Sequence, residues 1–244
     1  MQTLATRHFD FNIYALSEHA VTVEFGNQIN DHFLQQVNDL NSRINENPFP
    51  GFYTTVPAYT TLTIFFDPIS VIESLDLKGA GCFDKIVNYL STLKSRVVPT
   101  AIKSADTITI PVCYGGVFGP DLGELAAIHN MTVAEVISIH SSAIYKVYMI
   151  GFVPGFAYLG GMPELLATSR KENPRKAIPP GSVGIAGNQT GVYPLETPGG
   201  WQIIGRTPLN MFNAKLSQPS LLKAGDIVRF TPIDVVEFNQ LASA

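Results

Sequence analysis

Six polar side chains stand inside apolar, turn-rich stretches of this sequence and are the groups that could do chemistry: His140, Arg175, Gln189, Thr190, Tyr193 and Arg206. His140 falls on a helical stripe shared with Val133, Val136, Ile137 and Ile144, which aims an imidazole inward. Burial and a hydrogen bond would set its tautomer for proton transfer, or the ring is simply a structural core histidine. Arg206 follows two isoleucines and a glycine in IIGRTP. Its guanidinium can hold a carboxylate or phosphate through a two-pronged hydrogen bond, or pin nearby carbonyls and acids. Arg175, after Pro174 in a polar loop, is an anion ligand or a solvated charge, and Lys176 beside it is read as solvated. Gln189 and Thr190 lie between Gly187 and Gly191. Flanking glycines allow close backbone approach, and a glutamine amide matches a neutral amide or lactam edge; the alternative is a plain turn. Tyr193 either offers its phenol to the same cavity or packs its ring in a core. The expectation is that His140 and Arg206 line one cleft, while Trp201, Phe152 and Phe156 read most simply as core, or as walls of a cleft.

Several catalytic devices are missing from the chain. It has no GxxxxGK[ST] phosphate loop, no GxGxxG between strand and helix, no HExxH or close His/Cys set for zinc, and no GxSxG elbow. No metal site is expected. Charged residues make up 15% of the chain, the formal net charge is −4, and the basic residues form no dense cluster, which argues against nucleic acid or an anionic membrane as partner. Cys82 and Cys113 lack metal or redox spacing and read as free thiols. No apolar run reaches membrane-spanning length, and the opening residues lack the basic and apolar regions of a leader, so a cytoplasmic protein is expected. The low charge leaves a largely neutral surface, suited to a permanent subunit.

The elements that must position these groups fall into two sets. In the first, Phe11–Leu16 and Ala20–Phe25 alternate as strands. Asn30 or Asp31 caps a helix with Phe33, Val37, Leu40 and Ile44 on one face. Strands at Phe52–Val56 and Tyr59–Phe66 follow, ended by Asp67-Pro68, and a second helix carries Phe83, Ile86, Val87, Leu90 and Leu93. This predicts a ferredoxin-like α/β sandwich over residues 1–98. Arg96–Asp106 reads as a linker. In the second set, Thr107–Val112 alternates, Asp121 opens a short helix, and Thr132 with Glu135 forms a capping box for the helix bearing His140. Eleven of the twenty glycines then lie between Gly151 and Gly205, a composition that excludes long helices and suits short strands and tight turns. Gly225-Asp226 turns the chain into a last strand, Ile227–Phe230. Residues 105–244 are therefore expected to form a small β-rich domain, and the whole chain to be α+β.

Four stretches carry a resemblance: PVCYGGVFGPDL (Pro111–Leu122), HSSAIYKVYMIGFVPGFAYLGG (His140–Gly161), GSVGIAGNQTGVYP (Gly181–Pro194) and PGGWQIIGRTP (Pro198–Pro208). They resemble the family of the bacterial 5-oxoprolinase B subunit, which also contains allophanate hydrolase subunit 1 and a sporulation-kinase inhibitor. Asn188 departs from the pattern where a second glycine is expected, and Pro180 where a small residue is expected. The resemblance implies a cyclophilin-like β-barrel for residues 105–244. It also implies a part in ATP-dependent hydrolysis of 5-oxo-L-proline to L-glutamate, with partner subunits A and C and with ATP bound with or by them. In that setting His140 and Arg206 are the expected catalytic groups, and Arg175, Gln189, Thr190 and Tyr193 the expected substrate-binding ones. The other two family activities, kinase inhibition and allophanate hydrolysis, stand as alternatives.

Overall fold

Alternating Val, Ile and Phe residues with their side chains on one face make the first sheet. The computed structural model describes residues 11–95 and 107–243 and divides the chain into two compact units at Lys103/Ser104. The linker expected at Arg96–Asp106 lies outside the described residues, as does the segment 1–10. In the first unit, β1 (Asn12–Ser17), β2 (Ala20–Glu24), β3 (Phe52–Pro57) and β4 (Thr61–Phe66) form an antiparallel sheet in the order β1-β2-β4-β3. Helix α1 (Asp31–Glu46) joins β2 to β3, which flank β4 on either side, so the unit contains a split βαβ motif. Its outer strand beside β2 is β1, from earlier in the chain.

Asn30 caps α1 by accepting from the Phe33 amide at 2.9 Å, and Leu34, Val37, Leu40 and Ile44 bury its apolar face. Helix α3 (Cys82–Ser95) packs Ile86, Leu90 and Leu93 into the same core. Between them lies a short helix, α2 (Pro68–Glu73), where the sequence shows only a strand end. Asp67 accepts from the Ser70 amide and Pro68 occupies the first turn, so the pair that stops β4 also starts a helix.

The second unit is a closed barrel of seven strands. Its elements are β5 (Thr107–Tyr114), α4 (Leu122–Ile128), α5 (Val133–Ser142), β6 (Tyr145–Ile150), β7 (Ala157–Gly160), β8 (Arg175–Ile178), β9 (Ser182–Ala186), β10 (Gln189–Val192), β11 (Thr197–Gly199), β12 (Gln202–Arg206), β13 (Ile227–Ile233) and α6 (Val235–Ala242). The order around the barrel is β10-β7-β6-β13-β5-β12-β9, closed by pairing of β9 with β10. β5 and β13 run parallel, while the other neighbours are antiparallel. Ile110, Val112, Val147, Leu159, Val183, Ile185, Val192, Ile204, Val228 and Phe230 fill the interior. Each such side chain contributes about 1.5–3 kcal/mol on burial. β8 and β11 form a separate two-stranded sheet.

The two departures from the family pattern sit in turns that accept them. Pro180 occupies the second position of a turn in which the Ser182 amide donates to the Pro179 carbonyl and Gly181 takes φ +81°, the place where a type II turn favours proline followed by glycine. Gly187 alone carries positive φ, +56°, in the β9–β10 turn, so Asn188 is not asked for a left-handed backbone.

Candidate active site

The capping box forms as the sequence implies: Thr132 Oγ1 accepts from the Glu135 amide, and Glu135 accepts from the Thr132 amide at 2.7 Å. Of the expected apolar stripe, however, Val133 and Ile144 are exposed, and Ile144 lies beyond the helix end. The buried residues of α5 are Val136 and His140. His140 is 0% exposed, stacked on Phe230 at 4.7 Å and flanked by Tyr145 and Tyr114.

Both ring nitrogens of His140 are engaged, and the network fixes which one carries the proton. Thr190 Oγ1 donates its one hydrogen to the Gly184 carbonyl at 3.0 Å. It therefore accepts from His140 Nε2–H at 3.0 Å, which leaves Nδ1 to accept from the Tyr114 hydroxyl at 2.8 Å. This assignment follows from the hydrogen-bond directions. Burial lowers the His140 pKa to about 3, so the ring is neutral at ordinary pH. Burial also holds the Tyr114 phenol well above its usual range. The Tyr145 hydroxyl donates to the His140 carbonyl at 2.7 Å and ties down the helix end. Four strands, β5, β6, β10 and β13, thus meet the helix at His140, and no donor in the relay from Tyr114 to Gly184 is left over.

Arg206 occupies the other face of the same sheet. Tyr114 lies opposite Gly205 and points inward to His140, whereas Arg206 lies opposite Cys113 and Ser182, one step along. The single cleft expected for His140 and Arg206 is therefore not formed: alternation along the strands puts the imidazole inside the barrel and the guanidinium outside it. Arg206 is half-buried, with its guanidinium carbon 5.9 Å from the centre of the Phe118 ring.

The outer face carries an aromatic cluster around two glycines. A side chain at Gly184 would meet Trp201 Cβ at 3.1 Å, and one at Gly191 would meet Phe156 Cζ at 3.0 Å and Trp201 Cζ3 at 3.2 Å. The close approach that these glycines permit is filled by the protein's own rings. Tyr193 belongs to this cluster, 1% exposed and edge-on to Phe156 at 5.3 Å. Burial pushes its phenol up to about 12, against a smaller opposing effect of the Trp201 amide, which donates to its oxygen. Tyr193 lies where the alternative of a ring packed in a core puts it; Thr190 lies not in a plain turn but in β10, its hydroxyl between His140 and the Gly184 carbonyl. Gln189 is half-buried at the start of β10, beside the Gly187-Asn188 turn.

Arg175 opens β8 and reaches Asp121. Asp121 Oδ1 accepts from Arg175 Nη2 at 2.6 Å and from Lys171 Nζ at 3.1 Å, while Oδ2 accepts from the Ile203 amide at 2.6 Å. Burial raises the pKa of this carboxyl, but the bonds from Arg175, Ile203 and Lys171 outweigh it and leave the group below its ordinary value. The sequence places Asp121 at a helix start, and it does precede α4. Its side chain makes no cap there and clamps β8 to β12 instead. Arg175 Nη1 and Arg206 Nε are buried with no partner among the described residues. Among those residues, no group of three or more His, Cys, Asp or Glu could hold a metal ion, and no helix is long and apolar enough to cross a membrane.

The architecture is thus an antiparallel sheet unit followed by a mixed seven-stranded barrel. The family described as carboxyltransferase domain, subdomain C and D, matches residues 11–222. The 5-oxoprolinase B subunit of Bacillus subtilis (strain 168) is 44% identical over 229 residues, covering 94% of this chain and 95% of that protein. That of Escherichia coli O157:H7 is 54% identical over 125 residues, covering 51% of this chain and 57% of that protein. The crystal structure of TTHA0988 superimposes with a TM-score of 0.76 at 29% identity, over 88% of this chain and 40% of that longer one. The chain belongs to the family of 5-oxoprolinase B subunits within the carboxyltransferase C/D-type domains.

Proposed function

We propose that this chain is the non-autonomous B subunit of an ATP-dependent 5-oxoprolinase in the cytoplasm, working with partner subunits A and C. The observation that carries this reading is 44% identity across 95% of the Bacillus subtilis protein. The reaction converts one 5-oxo-L-proline, one ATP and two waters into L-glutamate, ADP and phosphate. A five-membered lactam resists water because its amide is resonance-stabilised. Transfer of a phosphoryl group to the amide oxygen makes the carbonyl carbon open to attack, and the charge that develops calls for fixed cationic donors.

Arg206 and Arg175 supply donors of that type on the barrel's outside; Gln189, which pairs with Ala186 four residues along β9 from the Ser182 that faces Arg206, lies too far off to share one small lactam with it. His140, Thr190 and Tyr193 act as positioning residues: they hold β5, β9, β10 and β12 in the register that presents those donors. ATP is held with or by the partner subunits, since this sequence carries no phosphate loop. A largely neutral outer surface can be covered by a partner without stranding many charges, and an obligate interface of this kind buries roughly 2,000 Å² or more. The test is complementation. In a strain lacking its own B subunit, this chain should lower accumulated 5-oxoproline only when subunits A and C are present. Accumulation unchanged, with all three subunits expressed, would refute the proposal.

A further inference from the structure

We infer that Ser182 and Arg206 together form an oxyanion-binding site on the outer face of the barrel. The two residues lie directly opposite each other where β9 pairs with β12, which puts their side chains on one face within about 5.5 Å at Cβ. Ser182 is 0% exposed, and its hydroxyl has no hydrogen-bond partner among the described residues. The Nε of Arg206 is likewise buried without one. Buried polar atoms are almost always paired, so two neighbouring unpaired groups call for a common partner. Nε–H can only donate and a hydroxyl can donate, so the partner they share is an acceptor.

The charge argument points the same way. An arginine stays ionised, and a half-buried one lacks much of its hydration. Arg175 answers this with Asp121 at 2.6 Å, whereas Arg206 makes no ion pair among the described residues and rests on the Phe118 ring. Asp234, whose field reaches neighbouring Cys113, accepts from the Glu237 amide through Oδ1 at 2.8 Å as the cap of α6 and makes no ion pair with Arg206 among the described residues. Gly115 and Gly116 both take left-handed backbone in the loop that carries Phe118, and nothing stands within 4 Å of where a side chain at Gly116 would be.

The ligand chemistry is a carboxylate or phosphate oxygen pair, matched by the arginine fork. Its assignment to the carboxylate of 5-oxoproline rests on the function proposed above; the site itself does not. Arginine Nε–H groups are directly visible in nitrogen–proton NMR spectra, so the full chain can be titrated with 5-oxo-L-proline, with 2-pyrrolidinone, which lacks the carboxylate, and with inorganic phosphate. Arg206→Lys identifies the Arg206 signal. That signal should move with 5-oxo-L-proline and stay still with 2-pyrrolidinone. Ser182→Ala should weaken the response by roughly 5- to 10-fold, the range of one lost hydrogen bond. Movement with phosphate and not with 5-oxo-L-proline upholds the anion site and removes the substrate carboxylate as its occupant. An unmoved Arg206 signal with both anions overturns the inference. So does equal movement with 2-pyrrolidinone. Thermal unfolding of Ser182→Ala separates a structural hydroxyl: the inference expects an unchanged or higher Tm without ligand, and a clear fall in Tm would overturn it by showing that the hydroxyl is already satisfied inside the fold.

Discussion

Acid should weaken the barrel through His140 before it reaches any of the carboxylates. The folded ring has a pKa of about 3, against an ordinary value of 6.5. A depressed folded pKa means that the unfolded chain takes up the proton first, so this stability is whole above pH 6.5 and declines as pH falls toward 3. At about 1.36 kcal/mol per pH unit, the loss at pH 5 is about 2 kcal/mol, and it approaches 5 kcal/mol near pH 3. The groups packed around the ring are Tyr114, Tyr145, Thr190 and Phe230, none of which titrates in this window. Asp121, Asp67 and Glu135 have lowered pKa values, so their contributions fail only below the ordinary carboxylate range. The comparison is urea unfolding of the natural chain and of His140→Gln, at pH 7.5 and at pH 5, followed by fluorescence of Trp201, the single tryptophan. Glutamine keeps one donor and one acceptor but does not titrate. It should be less stable at pH 7.5, by about 1–3 kcal/mol for lost packing and imperfect bonds. Between the two pH values the natural chain should lose about 2 kcal/mol more than the variant. Equal losses would refute the reasoning, because they would mean that the ring protonates in place without cost.

Three further outcomes follow from the geometry. Gly119→Ala should destabilise the barrel by roughly 3 kcal/mol in the same urea assay, because its new carbon would lie 1.9 Å from the Ile204 carbonyl oxygen, which is backbone and cannot swing away. Asp121→Asn should cost about 1–3 kcal/mol, moderated because Lys171 and Arg175 are 21% and 30% exposed. Its contribution is present above the ordinary carboxylate range and lost as pH falls below it, so the two chains should converge in stability in acid. Arg206→Lys should lower kcat/KM of the assembled enzyme by about 10- to 100-fold, the range of a charged hydrogen bond, with the urea midpoint unchanged.

Much of the fold can be read from local patterns. Strands β2, β4 and β5 alternate, Asn30 caps α1, and Thr132 with Glu135 starts α5, because each of these signals lies within a few neighbouring residues. Helix α6 is not anticipated from the sequence, although Asp234 caps it and Val235, Phe238 and Leu241 recur at helical spacing; eight residues at the end of the chain, none of them buried, make a weak signal. Helix α2 is hidden by Asp67-Pro68, a pair that reads equally as an end and as a beginning. For the candidate site, the residue types are legible but their sides are not. His140 is expected inward and lies there, yet its separation from Arg206 depends on the pairing of Tyr114 with Gly205, whose positions are 91 apart in this numbering. Ser182 gives no signal at all, since an isolated serine between glycine and valine differs from a turn residue only through its neighbour across β12.

On the function proposed above, this chain carries part of a site and needs its partners. That need is tested most directly by ATP-dependent release of glutamate from 5-oxo-L-proline, measured on the purified chain alone and again after adding subunits A and C. No glutamate is expected from the lone chain, and ATP-dependent release is expected from the mixture. Full turnover by the lone chain would contradict that function, as would a mixture that stays silent while the chain inhibits a histidine kinase.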